Sequence, residues 1–284
     1  MRSPEPDLPA KGLLTELVTV LGPERSGNLS SFDEAFLHRS VETRRVAVGE
    51  PDAVRYLGRL RDDPHEAEAF LSSLHVGYSE FFRNPLTFAV LEQIVLPRLL
   101  GEVEGEGRPE VRVWSAGCAG GEEPFSVAIL LDELIASRGR EPRYRVFATD
   151  LREAGLAAAC SGVFGTSALR NVRQRHLESC FTRTGESYVV SPRLRARVDF
   201  SVHDLLNPGT SCPPASIYGA FDLVLCCNLL LYYRQEMRRL VLDRLYGCLA
   251  PGGYLVTGET ERAMVDPIGG FTPVMSQAAV FRKG

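Results

Sequence analysis

The stretch VRVWSAGCAGGEEPFS, residues 111–126, decides the fold. VRVW is a short apolar strand, the small residues Ser115, Ala116, Gly117, Gly120 and Gly121 form a turn, and EEPFSVAILLDELIAS is a helix opened by Pro124. YRVFATD (144–150) supplies a second strand and completes a strand, glycine-rich turn, helix, strand unit. Further out, VDFSVHDL (198–205), FDLVLCCN (221–228) and GGYLVTGE (252–259) repeat the strand pattern. An amphipathic helix runs from about Gln235 to Leu249, and a last strand is expected near Ala278 to Arg282. Strands alternating with helices predict a parallel, doubly wound α/β sheet whose final strands make an antiparallel edge pair.

Before the turn the pattern is different. From Leu13 to about position 76, apolar residues recur at helix spacing (Leu13, Leu17, Leu21; Phe32, Phe36; Leu57, Leu60; Phe70, Leu74) and predict a small all-helical unit. Pro85 to Leu100 continues helically, while GEVEGEGRPE (101–110) reads as a loop without apolar anchors. The Pro-rich, charged start, up to about residue 12, reads as a frayed terminus. Between the second and third strands, positions 162–197 are too many for a simple crossover, and SCFTRTGESYVVSPRLRARVDF (179–200), which overlaps their second half, predicts a small antiparallel hairpin or meander.

Composition excludes several classes. With 32 Lys+Arg against 36 Asp+Glu, the net charge of −4 is wrong for a chain whose whole surface coats nucleic acid or an anionic membrane. No apolar run approaches the roughly 20 residues that span a bilayer, and the first residues resemble neither a signal nor a transit peptide, so a cytoplasmic protein without membrane insertion is expected. Seven cysteines are an odd number and include no CxxC pair, and the five histidines are scattered. Reduced thiols and no metal site follow as expectations.

The turn carries the chemistry. It lacks the GK[ST] of a nucleotide loop and places Glu122 and Glu123 where a phosphate would sit. A ligand that is cationic or neutral at this end suits it better, as the amino group and sulfonium of S-adenosylmethionine would, than NAD or ATP does. Asp150, at the end of the second strand, can accept from both hydroxyls of a ribose, or it can cap the following helix. Asp204 can accept from an adenine amino group or stabilise the turn before Pro208. Asn228 and Tyr232 follow the fourth strand at the same edge, and YSEFFRN (78–84) sets paired aromatics beside Arg83.

Together these pieces resemble the CheR-type chemotaxis protein methyltransferases, which methylate receptor glutamates using S-adenosylmethionine. SEFFRN is similar to the family's T-x-F-F-R-[DE], VWSAGCAGGEEPFS to W-S-A-G-C-S-T-G-E-E-P-Y-S, and FATD to its strand-end acidic motif. FDLVLCCNLLLYY is similar to F-D-x-I-x-C-R-N-V-x-I-Y-F, and LAPGGYLVTGETE to L-x-P-G-G-x-L-x-x-G-H-S-E. The resemblance implies a class I methyltransferase (Rossmann-like) sheet, here residues 85–284, with a helical N-terminal domain, residues 13–84, and a small β-subdomain at 164–199. It implies cofactor contacts from Ser79, Arg83, Ala116, Gly117, Glu123, Asp150, Asp204, Leu205, Cys227 and Asn228, with Arg83 and Tyr232 at the methyl-transfer centre. It also implies S-adenosylhomocysteine as product and chemoreceptor cytoplasmic helices, or a related acidic protein, as substrate. Two Arg-rich segments agree with an acidic partner: residues 36–61 hold six Arg against three acidic residues, and 164–199 hold seven against three. The sequence departs from the family at Cys227, where an arginine is usual, at Ser79 for Thr and at Asn84 for an acid. The alternatives are the same fold acting on another methyl acceptor, and a non-catalytic module that binds the cofactor or docks on receptors.

Overall fold

Helix-spaced apolar residues fold the first part of the chain into α1 (Leu13–Leu21), α2 (Pro23–Ser26), α3 (Glu34–Ala47), α4 (Ala53–Asp62) and α5 (Pro64–Ser73). The computed structural model describes residues 12–75, 77–139, 143–216, 219–265 and 269–284, so the Pro-rich start, residues 1–11, lies outside the described residues. Leu13, Leu17, Leu37, Tyr56, Leu60 and Phe70 form the core of this unit. Asp52 caps α4 by accepting from the Arg55 N–H at 2.8 Å, and Asp63 caps α5 from the His65 and Glu66 N–H groups, just before Pro64. Buried Glu66 accepts from Arg44 through Nε at 3.0 Å and Nη2 at 2.6 Å, and from the Tyr56 hydroxyl at 2.9 Å. That three-way bond ties α3, α4 and α5 and supplies the partners a buried carboxylate needs.

The second unit begins at position 77 and takes in all later residues except Leu231–Met237, which group with the first unit. The expected division after residue 84 therefore moves earlier. Phe81 packs edge-on to Phe164 and Phe181, with ring centroids 4.8 and 5.3 Å away, and the Phe82 N–H donates to Ser126 Oγ at 3.0 Å, which draws SEFFRN into the second unit. Next come α6 (Pro85–Val90), a π-helical turn (Leu91–Val95) and α7 (Leu96–Gly105). Pro97, lacking an N–H, cannot continue the α-helical ladder, which accounts for the wider turn. The expected loop at 101–110 is half wrong: its first five residues extend α7, because Val103 is buried beside Leu99 and Leu100.

A seven-stranded sheet follows, built from β1 (Val111–Ala116) and β2 (Tyr144–Asp150), and then, after a smaller sheet of β3 (Val163–Gly165), β4 (Phe181–Thr184) and β5 (Ser187–Val190), from β6 (Val198–Val202), β7 (Phe221–Cys226), β8 (Leu249–Thr257), β9 (Phe271–Pro273) and β10 (Val280–Lys283). Its order is β6-β2-β1-β7-β8-β10-β9. The first five of these are parallel, while β10 runs antiparallel to β8 and to β9. Connecting helices are α8 (Glu122–Ser137), α9 (Glu153–Ser161), α10 (Gln174–Cys180), α11 (Pro192–Arg195), α12 (Gln235–Cys248) and α13 (Arg262–Val265). Strands buried on both faces read as continuous apolar runs, as Leu223, Val224, Leu225 and Cys226 of β7 do here. The chain leaves β1 toward β2 and β6 and later returns to β7 on its other side, so the switch point where such sheets take ligands lies between β1 and β7.

The smaller sheet, ordered β3-β5-β4 and antiparallel, fills the long connection between β2 and β6. It ends earlier than the expected 199, since Val198 and Asp199 already pair with Val146 and Phe147 in the main sheet. No helix among the described residues is long and apolar enough to cross a membrane.

Candidate functional site

At the carboxyl end of β1 the backbone turns sharply. Gly117 and Gly121 take φ +81° and +93°, and the N–H groups of Gly117 and Cys118 both donate to the Thr149 carbonyl, at 2.8 and 2.9 Å. A Cβ on Gly121 would stand 2.9 Å from the Ala159 Cβ, and one on Gly117 3.0 Å from Leu229. These positions need glycine for both conformation and space. Beneath the turn the Trp114 indole donates to Thr149 Oγ1 at 3.0 Å and is fully buried, which pins β1 to β2.

Glu123, in the first turn of α8, faces back toward this strand end. Its Oε1 accepts from the Ser115 hydroxyl at 2.6 Å, and the Cys227 thiol also donates to it. Burial pushes its carboxyl up to about 7; the hydrogen bonds from Cys227 and Ser115 oppose this, Glu261 adds to it, and Arg83 opposes it weakly. The Cys227 thiol is raised well above its usual range by burial and by the charge of Glu123, so it acts as a hydrogen-bond donor and not as a nucleophile. Glu122 is more deeply buried than its neighbour and also raised by burial, with the Ser79 hydroxyl holding it down and Oε2 left without a partner.

Asp150 ends β2 half-buried, with Oδ2 accepting from the Ala119 N–H at 2.9 Å and Oδ1 from the Arg152 N–H at 3.0 Å. These bonds fix the carboxylate and leave it lone pairs for another donor pair. Two residues beyond β6, Asp204 accepts from the Leu206 N–H at 2.8 Å, so its turn-stabilising role is occupied. Buried Leu205 presents its carbonyl to Arg244. Past β7, Asn228 sits at φ +58° with its N–H donated to Glu261 at 2.8 Å, and its side-chain Oδ1 is buried without a partner.

Arg83 is half-buried, donates to the Tyr78 carbonyl at 3.1 Å and lies over the Tyr78 ring at 5.4 Å. Asn84 takes a left-handed conformation, at φ +65°, ahead of Pro85. The second unit thus holds Ser79, Arg83, Ala116, Gly117, Glu123, Asp150, Asp204, Leu205, Cys227 and Asn228. Tyr232 is not among them: it belongs to the 231–237 segment of the first unit, its ring 4.8 Å from Phe36 and its carbonyl accepting from the Asp33 N–H at 2.8 Å.

Glu261 escaped the sequence reading. It is fully buried, and its Oε2 accepts from the N–H groups of both Asn228 and Gly258 at 2.8 Å, which binds the ends of β7 and β8 together. GETE (258–261) is the signal that could have found it.

A ligand made of a nucleoside and a cationic amino acid fits these residues. The glycines leave room for close approach, Asp150 faces the site from the end of β2, Glu123 offers a carboxyl for a cation, and Asn228 Oδ1 lacks a donor. Among the described residues no three His, Cys, Asp or Glu gather as a metal site would require.

The family described as CheR methyltransferase, SAM binding domain, matches residues 78–277. A chemotaxis protein methyltransferase of Listeria innocua is 31% identical over 224 residues, covering 79% of this chain and 78% of that one. Chemotaxis protein methyltransferase 1 of Pseudomonas aeruginosa is 34% identical over 198 residues, covering 68% and 69%. An uncharacterized 104.1 kDa protein of Rhodobacter capsulatus is 31% identical over 248 residues, and the chain spans 25% of its length. Of solved structures, the chain is similar to the N-methyltransferase NodS of Bradyrhizobium japonicum in complex with S-adenosyl-L-homocysteine, at 17% identity and a TM-score of 0.34 over 66% of this chain and 85% of that one.

Proposed function

The chain belongs to the CheR methyltransferase family, and from that premise we propose that it methylates glutamate side-chain carboxylates of chemoreceptors or receptor-like signalling proteins in the cytoplasm, giving glutamate methyl esters. S-adenosylmethionine is its cofactor and supplies an electrophilic methyl group on a sulfonium. In this reading the first unit is a helical N-terminal domain and the second is the cofactor-binding domain, with the β3-β5-β4 sheet as its β-subdomain. The observation that carries the reading is the convergence of Glu123, Asp150 and Asn228 at the carboxyl ends of β1, β2 and β7, around glycines that admit no side chain.

The proposed roles follow from chemistry. Glu123 binds the cofactor's amino group, Asp150 the ribose hydroxyls, Asp204 and Leu205 the adenine, and Asn228 Oδ1 accepts from a cofactor donor; Ser79, Ala116, Gly117 and Cys227 line the remainder. A glutamate carboxylate is ionised at neutral pH and needs no general base to attack a methyl group. Alignment and exclusion of water therefore do most of the work. Arg83 positions the incoming carboxylate; the orienting role that the family resemblance implies for Tyr232 falls on a residue of the first unit. Too tight an Arg83 pairing would stabilise the ground state, so its neutral tether to Tyr78 suits a positioning role.

The test is incubation with methyl-labelled S-adenosylmethionine and receptor cytoplasmic fragments, followed by base treatment. Base-labile methanol is expected. Absence of transfer to any carboxylate, with the cofactor still bound in calorimetry, would overturn the glutamate reading and favour a binding module.

A further inference from the structure

Away from the site just described, the segment after β6 and the end of α12 bring two cysteines together. Cys212 Sγ lies 2.7 Å from Cys248 Sγ, closer than two sulfurs that merely touch, and Cys248 also donates to the Ser211 carbonyl at 3.1 Å. The surroundings hold the pair in place: a Cβ on Gly219, at φ +60°, would stand 3.1 Å from Cys212 Sγ. Cys248 is 2% exposed whereas Cys212 is half-buried, so a reagent from solvent meets Cys212 first. Lys283 flanks Cys248, donating to the Tyr246 and Leu249 carbonyls at 2.8 and 2.7 Å; burial and the neighbouring Cys212 push the Cys248 thiol up, and the Lys283 charge offsets only part of that. Cys160, by contrast, is exposed with no neighbouring sulfur among the described residues.

We propose that Cys212 and Cys248 form an oxidative modification site, a dithiol that closes to an intramolecular disulfide by exchange with a small-molecule disulfide of the oxidised-glutathione class. Cys212, as thiolate, attacks one sulfur of that disulfide; a mixed disulfide forms and one glutathione thiolate leaves. Cys248 gives its proton to solvent and attacks Cys212 Sγ, expelling the second glutathione thiolate, and both leaving thiolates take up protons. Two protein thiols are oxidised and one external disulfide is reduced. The new bond fastens the segment after β6 to the end of α12, whose Arg244 already holds the Leu205 carbonyl.

The experiment uses the full chain incubated with oxidised glutathione, then alkylated and peptide-mapped. The expected product has lost two hydrogens, contains one cross-linked peptide pair joining Cys212 to Cys248, and reverts with dithiothreitol. Cys248→Ser should instead retain a glutathione adduct on Cys212, and Cys212→Ser should leave Cys248 unmodified. Glutathione adducts at Cys160 alone, or a stable adduct on Cys212 of the unmutated protein without the cross-link, would overturn the proposal.

Discussion

In the proposed function, Glu123 is the one side chain whose ionisation should set cofactor affinity. Its carboxyl is pushed up to about 7, chiefly by burial, while a cationic amino group prefers the ionised form. Binding should therefore release a proton below about pH 7, and affinity should weaken about tenfold per pH unit on the acid side. Calorimetry in buffers of different ionisation heat reads both the constant and the proton. Glu123→Gln should abolish the proton release and flatten the acid limb; a wild-type affinity independent of pH between about 5.5 and 7 would remove Glu123 from this role. For folding the sign is opposite. A raised carboxyl binds more protons folded than unfolded between the usual carboxylate value and about 7, so ligand-free stability falls as pH rises through that window. Above it Glu123→Gln should be the more stable protein, by about 1–3 kcal/mol once the solvent reach of this half-buried group is allowed for. Cys227 enters the same equilibrium as a donor to Glu123. Cys227→Ala should move the binding inflection upward in pH, and an unmoved inflection would mean that the thiol does not bond to the carboxyl in solution.

The glycine turn between β1 and α8 shows what an element contributes. Gly121→Ala would combine a left-handed φ of +93° with a Cβ 2.9 Å from Ala159, on α9. A loss of about 1–3 kcal/mol in chemical denaturation, with cofactor affinity lowered at least about tenfold, is expected; an unchanged affinity would show that the turn does not cradle the ligand. The turn was legible in the sequence because its signals are local, small residues between an apolar run and an amphipathic one. Strand-end carboxylates such as Asp150 were legible for the same reason. Glu261 was not, because its two bonds go to the Asn228 and Gly258 N–H groups, which only the pairing of β7 with β8 brings together. The C-terminal end of α7 was hidden by composition: Glu and Gly residues surround Val103, and its burial depends on the sheet beneath. Tyr232 was readable as a residue of the β7 edge by sequence position, yet its ring packs with Phe36 of the helical unit, which no local pattern reveals.

Across the whole molecule the two Arg-rich segments carry less free charge than their counts suggest. In the first, Arg44 binds Glu66, Arg45 binds Glu42, Arg55 Asp52, Arg59 Glu50 and Arg61 Asp62. In the second, Arg170 binds Glu80, Arg173 and Arg175 bind Glu92, and Arg193 binds Asp132, so carboxylates outside the segment answer its arginines. Arg39, Arg183, Arg195 and Arg197 make no ion pair with a carboxylate among the described residues; Arg183 donates to the Gly185 carbonyl at 3.2 Å and Arg195 to the Ser161 carbonyl at 3.3 Å. Recognition of an acidic receptor helix should then rest on these uncompensated residues, since an arginine already paired gains little from a second carboxylate in water. Arg39→Glu and Arg183→Glu together should lower kcat/KM for a receptor fragment by about threefold to tenfold at low salt, leave cofactor affinity unchanged, and lose most of that effect at high salt, where the Debye length shrinks to about 3 Å at 1 M. Arg173→Ala should behave differently, costing up to about 1 kcal/mol of stability through Glu92 while kcat/KM stays near its original value. If Arg173→Ala weakened receptor methylation as much as the charge reversals do, paired arginines would be part of the docking surface and net charge, not its compensation, would set the partner.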